Sequence, residues 1–315
     1  ACRAGNIYNL LQRVLYRMAE QGQTEYAQIP VISLNLMGEE KHTGFRITPG
    51  LLSGGIAAGC YGDLIMCLYQ QVKPYEQNPG ETDRIRSQVE KKLCESIRRH
   101  RNGRHTREKN YRYACEVFSK VPVKPGKKKR VGITGEIYMK YSKLGNDDIE
   151  SFLLRQGMEP YSGGFVNYCL YLVDTERYKA EKYQHNPVMA KACAFVLHRL
   201  CEAQKHLLTV IGETDRFQTD LPFPELKEKV QGILAEGCNT GDGWLIAAEV
   251  IQYVEKGCGS VLILHPFGCL VSHVCERGIL QRLHARFPDV SIQTIEYDYD
   301  QSKTLRESRI LLAIS

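Results

Sequence analysis

Several absences narrow the chemistry of this sequence before any motif is considered. It has no Cys-x-x-Cys pair, no tandem of such pairs and no ferredoxin-like run, so a zinc ribbon or a locally wound iron-sulfur site is excluded. Any cluster would have to be assembled from distant residues. There is also no phosphate-binding loop or dinucleotide fingerprint: Gly54-Gly55-Ile56-Ala57-Ala58-Gly59 lacks the spacing and lies within a helical stretch. Neither an ATP nor an NAD site is expected. Apolar runs such as 261–264 and 311–314 fall far short of the roughly 20 residues needed to cross a bilayer. The chain therefore reads as cytoplasmic and not membrane-spanning. It opens without Met and without a charged segment leading into an apolar one, so its start reads as a boundary or cut, not a signal peptide.

What is present is ordinary globular material. The 315 residues are 43% hydrophobic and 25% charged, enough for a sizeable core. That length exceeds what one core usually serves, which favours two α/β lobes. The net charge of +6 comes largely from clusters at 98–107 and 124–130. These read as solvated helix ends and a linker, with an acidic partner, CoA phosphates or nucleic acid as alternatives. Aromatic residues interleaved for base stacking are absent, so nucleic acid is the least favoured. The twelve cysteines are too sparse for a disulfide scaffold and read as reduced thiols. Cys60, Cys67, Cys193 and Cys201 sit in apolar helical patterns, where a free cysteine packs as a small hydrophobe.

Periodicity predicts a helix over 6–20, a buried strand over 30–36 and a buried helix over 51–72. Charged-faced helices follow over 82–100 and 106–118. Pro122, Pro125, Gly126 and a basic run mark a linker at 124–130. Beyond it the chain alternates: a strand over 130–133, a helix over 146–156 and an extended stretch over 165–173, read as a βαβ unit. A helical insertion spans about 174–235, with Met189, Ala192, Phe195, Val196, Leu200, Leu207, Leu208 and Ile211 expected to cover the sheet. Helix 243–256, strand 260–265, helix 270–285, strand 291–296 and a closing helix complete a parallel α/β pattern. The expected division is a helix-rich lobe at 1–123, the linker, and a second lobe at 131–315.

Chemistry is expected where strands end. His265-Pro266-Phe267-Gly268-Cys269 leads from a strand into a helix, so Cys269 would lie at the sheet's carboxyl edge, where open α/β sheets bind ligands. A helix start favours a thiolate. Gly135 and Glu136 follow the strand that begins near Val131, and Asp298 and Asp300 follow the last strand, so three loops would converge on one crevice. Those carboxylates could also simply cap helices. On a helix, His273 would share the side of Cys269 while Cys275 points elsewhere, so a zinc site from this pair is not expected. A cysteine nucleophile at Cys269 with His265 or His273 as base is conceivable but has no motif behind it.

Four segments carry a family resemblance. Val131-Gly132-Ile133-Thr134-Gly135-Glu136-Ile137-Tyr138, Gly241-Asp242-Gly243-Trp244-Leu245, Pro266-Phe267-Gly268-Cys269-Leu270 and Tyr297-Asp298-Tyr299-Asp300 appear in that order. Together they resemble the C-terminal region of large CoA-substrate-specific enzyme activases. Cys2-Arg3 with Asn6 and Tyr8, then Pro30-Val31-Ile32-Ser33-Leu34-Asn35, extend the resemblance over nearly the whole chain. That region is similar to 2-hydroxyacyl-CoA dehydratase subunits and to double-cubane cluster proteins. The resemblance implies two flavodoxin- or Rossmann-like lobes with parallel sheets and covering helices, holding a 4Fe-4S or double-cubane cluster between them.

Carried over by motif, Cys269 and Cys2 are the implied ligands and Cys238 a weaker third. Arg3, Asn6, Gly135, Glu136, Phe267, His273, Asp298 and Asp300 would line the crevice. The chain departs from the family pattern in two ways: the family shows a further cysteine upstream of Cys2, and Val271-Ser272 stand where Pro-Asn is common. The implied function is an iron-sulfur electron-transfer or reductase module. The alternative is a non-catalytic docking or regulatory domain binding a partner protein or a CoA ester. Implied partners are an acyl-CoA dehydratase or an ATPase activase domain, the latter in the same full-length chain, and a homodimer is compatible with both readings.

Overall fold

The computed structural model describes residues 4–29, 31, 48–298 and 300–315, without the side chains of 4–8 and 49. The chain divides into two compact units, Ala1–Pro49 and Gly50–Ser315. In the first, α1 (Ala4–Glu20) follows the expected helical period and leads to a 3₁₀ turn at Thr24–Gln28, with Leu10, Leu11 and Val14 exposed. The strand expected at 30–36 lies outside the described residues except for Val31.

The second unit begins with α2 (Pro49–Val72), α3 (Glu81–Arg98) and α4 (Arg104–Ser119). Their heptad-like apolar positions, among them Leu64, Leu68, Leu93, Tyr111 and Phe118, pack inward as one face of each helix. By length and composition α2 is long and apolar enough to cross a membrane. Its glycines and the polar Ser53, Asp63 and Gln70 keep its uninterrupted apolar runs short. Ala57, Cys60, Tyr61, Leu64, Leu68 and Val72 of this helix are buried in the core.

After α4 the chain does not run loose. Val123 bridges Glu76, the Lys124 N–H donates to Tyr75 O over 2.7 Å, and the Lys128 N–H donates to the Tyr75 hydroxyl over 3.1 Å. It then enters β1 (Arg130–Gly135), α5 (Ile137–Tyr141), α6 (Ile149–Arg155) and β2 (Glu159–Tyr161). Then come α7 (Phe165–Lys182), α8 (Pro187–Gly212), α9 (Phe223–Lys229), α10 (Gly243–Glu255), β3 (Ser260–Pro266), α11 (Leu280–Arg286), β4 (Ser291–Tyr297) and α12 (Lys303–Ile314).

The strands form one parallel sheet in the order β2-β1-β3-β4. The near-continuous apolar runs of β1 and β3 suit strands buried on both faces. On one face Val131, Ile133, Leu262 and Leu264 meet Phe152, Leu153, Ile310 and Ile314. On the other, Val261 and Ile263 meet α10, whose Trp244 and Tyr253 join the same core as α2 and α4. The protein is thus α/β with one four-stranded parallel sheet among the described residues, and 50–119 contributes helices to that sheet's own core.

Three expectations are corrected. Residues 165–173 are helical, because the Asp63 carboxylate accepts the first N–H groups of α7, from Phe165 (2.7 Å) and Val166 (2.9 Å), and Val166, Leu170 and Tyr171 then face inward at helical spacing. Aromatic and β-branched residues there imitate a strand. The first half of α8 does not cover the sheet: Phe195 is 67% exposed and Val188, Met189 and Val196 are also exposed, whereas Leu207 and Ile211 are buried. The helix expected at 270–285 is interrupted by a π-helical turn at Ser272–Glu276 and a 3₁₀ turn at Arg277–Ile279 before α11.

Candidate functional site

The strand order reverses between β1 and β3, which opens a crevice at their carboxyl ends. The backbone there is tightly drawn. Gly135 has φ +133°, and a Cβ on it would lie 2.0 Å from Leu264 O, so only glycine lets β1 pass β3 at this point. The next N–H, of Glu136, donates to that same Leu264 carbonyl over 2.8 Å. The Glu136 carboxylate then caps α5, accepting the N–H groups of Tyr138 and Met139 at 3.1 Å each.

The loop before α10 forms a second wall. Gly243 has φ +34°, and a Cβ would lie 2.2 Å from Cys238 O, so the chain folds back on Cys238; the Trp244 N–H donates to that carbonyl over 2.9 Å. Asp242 is buried, and the Ile137 N–H donates to it. Burial, then the neighbouring Glu136 charge, pushes its carboxyl up to about 7.

The chain leaving β3 forms the third wall. The Phe267 N–H donates to Tyr297 O (2.8 Å), and the Cys269 N–H donates to Pro266 O (3.2 Å). The Cys269 carbonyl accepts both the N–H of His273 (3.1 Å) and its Nδ1 (2.8 Å). A carbonyl only accepts, so Nδ1 carries hydrogen and the Nε2 of His273 turns to Glu296, 3.8 Å away. The π-helical turn buries Ser272, Cys275 and Glu276. Neither carboxylate oxygen of Glu276 has a hydrogen bond of ordinary geometry among the described residues. Burial, only partly offset by the adjacent Ser272 hydroxyl, pushes this carboxyl up to about 8, and the charges of Asp242 and Glu136 add to it. His265, fully buried, has no hydrogen bond of ordinary geometry on either ring nitrogen among the described residues; burial and Arg277 hold it below its ordinary value.

The crevice thus gathers the cysteines of two separate loops. Burial disfavours ionisation of Cys275, and charge on Cys238, Glu276 or Cys269 would oppose it further. An ordinary α-helical wheel sends Cys275 away from Cys269, but the wider π-helical turn changes the phase. No three His, Cys, Asp or Glu side chains among the described residues lie close enough to share one metal ion.

Of the residues singled out by sequence, Gly135, Glu136, Phe267, Cys269 and His273 lie at the carboxyl edge of β1 and β3, with Cys238 on the facing loop. Asp298 follows β4 on that edge, where its Oδ1 accepts the Asp300 N–H at 3.4 Å; both belong to the turn before α12, and Asp300 is exposed. Neither caps α12, whose N-cap is Ser302. Cys2 and Arg3 lie outside the described residues, and Asn6 belongs to α1 of the first unit without a described side chain. Sequence reading set Cys275 aside and gave no site role to Asp242 or Glu276. Asp242 before a helix resembles any cap, and the π-helical turn leaves no periodic signal. In comparisons with protein-family models, curated proteins and solved structures, no match to this chain was found.

Proposed function

We propose that this chain is an iron-sulfur electron-transfer or reductase module related to 2-hydroxyacyl-CoA dehydratases and their activases. The observation that carries the reading is that the loop of Cys238 packs against the chain that follows Cys269 at the strand-order reversal, where a Cβ on Gly241 would lie 3.0 Å from Val271 Cγ2. Each cluster cysteine binds a different iron, so thiols spread around a crevice suit a cubane better than they suit a single ion. Cys269 and Cys238 are the described thiolates that would hold it, as a 4Fe-4S or double-cubane group; Cys2, the other ligand the resemblance implies, lies outside the described residues. When bound, such a group would supply one-electron chemistry. The chain's own contribution is position and proton supply: burial raises the carboxyls of Asp242 and Glu276 to about 7 and about 8, where they would follow electron transfer with protons.

In this reading the sheet is a flavodoxin-like lobe. The setting is a reducing cytoplasm, and the partner is an acyl-CoA dehydratase or an ATPase activase domain. The test is iron and acid-labile sulfide content, with the visible spectrum, after anaerobic reconstitution of the wild type, Cys238→Ala and Cys269→Ala. Stoichiometric iron in the wild type that falls in both variants is expected; a colourless, iron-free wild type overturns the reading.

One observation favours a second reading, a docking or regulatory domain. Phe267, Leu270 and Val274, on the same lip as Cys269, are all exposed, Leu270 by 72%. An iron-free protein that binds an acyl-CoA dehydratase, and loses that binding in Leu270→Asp, would establish it.

A further inference from the structure

The opposite, amino edge of the sheet carries an open cavity of about 250 Å³. Its lining includes Tyr75, Lys124, Arg130, Glu159, Arg216 and Gln218, so three cations face one carboxylate. That carboxylate is already engaged. Glu159 accepts Arg130 Nε at 2.8 Å on one oxygen and the Tyr75 hydroxyl at 2.6 Å on the other. The remaining cations are uncompensated. Arg216 is half-buried and makes no ion pair among the described residues; its guanidinium donates to Ser119 O and to Val121 O (3.1 Å). Burial alone acts on it, lowering its pKa, with no acidic neighbour to offset the cost. Lys124 also has no ion pair among the described residues, and the basic run 127–129 continues beside it.

Placing cations around a concavity without partners is costly unless an anion completes the site, because a cleft focuses their field. Arg130 takes the carbonyl oxygen of Gln218 at 2.9 Å, which leaves that side chain's amide N–H groups as donors. We infer that this cavity binds the phosphate or pyrophosphate group of a small phosphorylated molecule, through Lys124, Arg216 and the Gln218 amide. Three cations against one carboxylate match a group carrying a charge of about −2 at neutral pH. Its size of about 250 Å³ favours a small anion over a nucleic-acid strand, which would need an extended groove with aromatic stacking platforms. The site lies at the far edge of the sheet from Cys238 and Cys269 and does not depend on the iron-sulfur reading.

The test is isothermal titration of the full chain, at low ionic strength, with inorganic phosphate, pyrophosphate and ADP. Saturable one-to-one binding of pyrophosphate is expected, weakened about tenfold by Lys124→Gln, as loss of one charge-assisted contact implies. Lys124 is exposed, so this variant keeps its fold; Arg216→Gln serves as a second variant, checked by circular dichroism because it also releases the carbonyls of Ser119 and Val121. Lys109→Gln, an exposed cation on α4, is expected to leave binding unchanged. Tighter binding of ADP than of pyrophosphate would identify a nucleotide as the source, and equal binding a free phosphate group. Absence of saturable binding by all three anions, equal weakening by Lys109→Gln, or binding of a single-stranded oligonucleotide alone would overturn the inference.

Discussion

Lys140 and Glu249 form an ion pair of 2.7 Å beneath the crevice, each side chain only 3% exposed. The Thr134 hydroxyl donates to the same carboxylate, so β1, the end of α5 and the middle of α10 meet at one polar point within an apolar core. Removing one member of such a pair leaves a buried charge, which costs about 3–5 kcal/mol. Lys140→Met is therefore expected to lower the unfolding free energy by that amount, and Lys140→Met with Glu249→Leu to recover most of it. Urea unfolding of the two variants checks both numbers.

Gly135 predicts a second effect. Alanine there would need φ +133° and a Cβ within 2.0 Å of Leu264 O. Strain of that kind costs about 1–3 kcal/mol before the clash is counted. Gly135→Ala is expected to lose more than about 3 kcal/mol by urea unfolding; retention of wild-type stability would show that the two strands do not converge there.

The raised carboxyls give stability a pH dependence. Asp242 and Glu276 are held at about 7 and about 8, above their values of roughly 4 in an unfolded chain. The folded state then binds more protons, so their contribution is full below about pH 4 and is lost as pH rises through 7 to 8. Stability of the iron-free chain is expected to fall between pH 5 and pH 8, and Glu276→Gln to flatten that slope. Denaturation midpoints across this range give the answer, and an unchanged slope in the variant would remove Glu276 from the account.

Thiol exposure orders reactivity. Cys94 is exposed and Cys269 half-exposed, whereas Cys60 and Cys258 are buried and pushed up to about 11 and about 12 by that burial. Alkylation at pH 7.5, followed by peptide mass spectrometry, is expected to modify Cys94 and Cys269 well before Cys60 and Cys258. Early modification of Cys258 would mean that the β3 side of the core opens readily.

Much of the architecture is legible in the sequence because it depends on local pattern. The apolar runs at β1 and β3, the closing of α10 by Lys256 and Gly257, and the alternation of strands with helices foretell the parallel sheet and the edge on which Cys269 and Glu136 stand. Strand composition misled at α7, where the capping carboxylate of Asp63 lies about a hundred residues away in the chain. An apolar stripe on α8 says that a face is greasy, not that anything covers it.

The sequence by itself determined the α/β class, the position of most elements and the cysteine-bearing turn after β3, since each follows from periodicity and turn chemistry over a few neighbouring residues. Only the tertiary structure decided that the loop of Cys238 meets the chain after Cys269, that burial raises the carboxyls of Asp242 and Glu276, and that Arg216 has no ion pair among the described residues. Those properties arise from desolvation and from charges brought together across long stretches of chain, and neither quantity exists until the chain has folded.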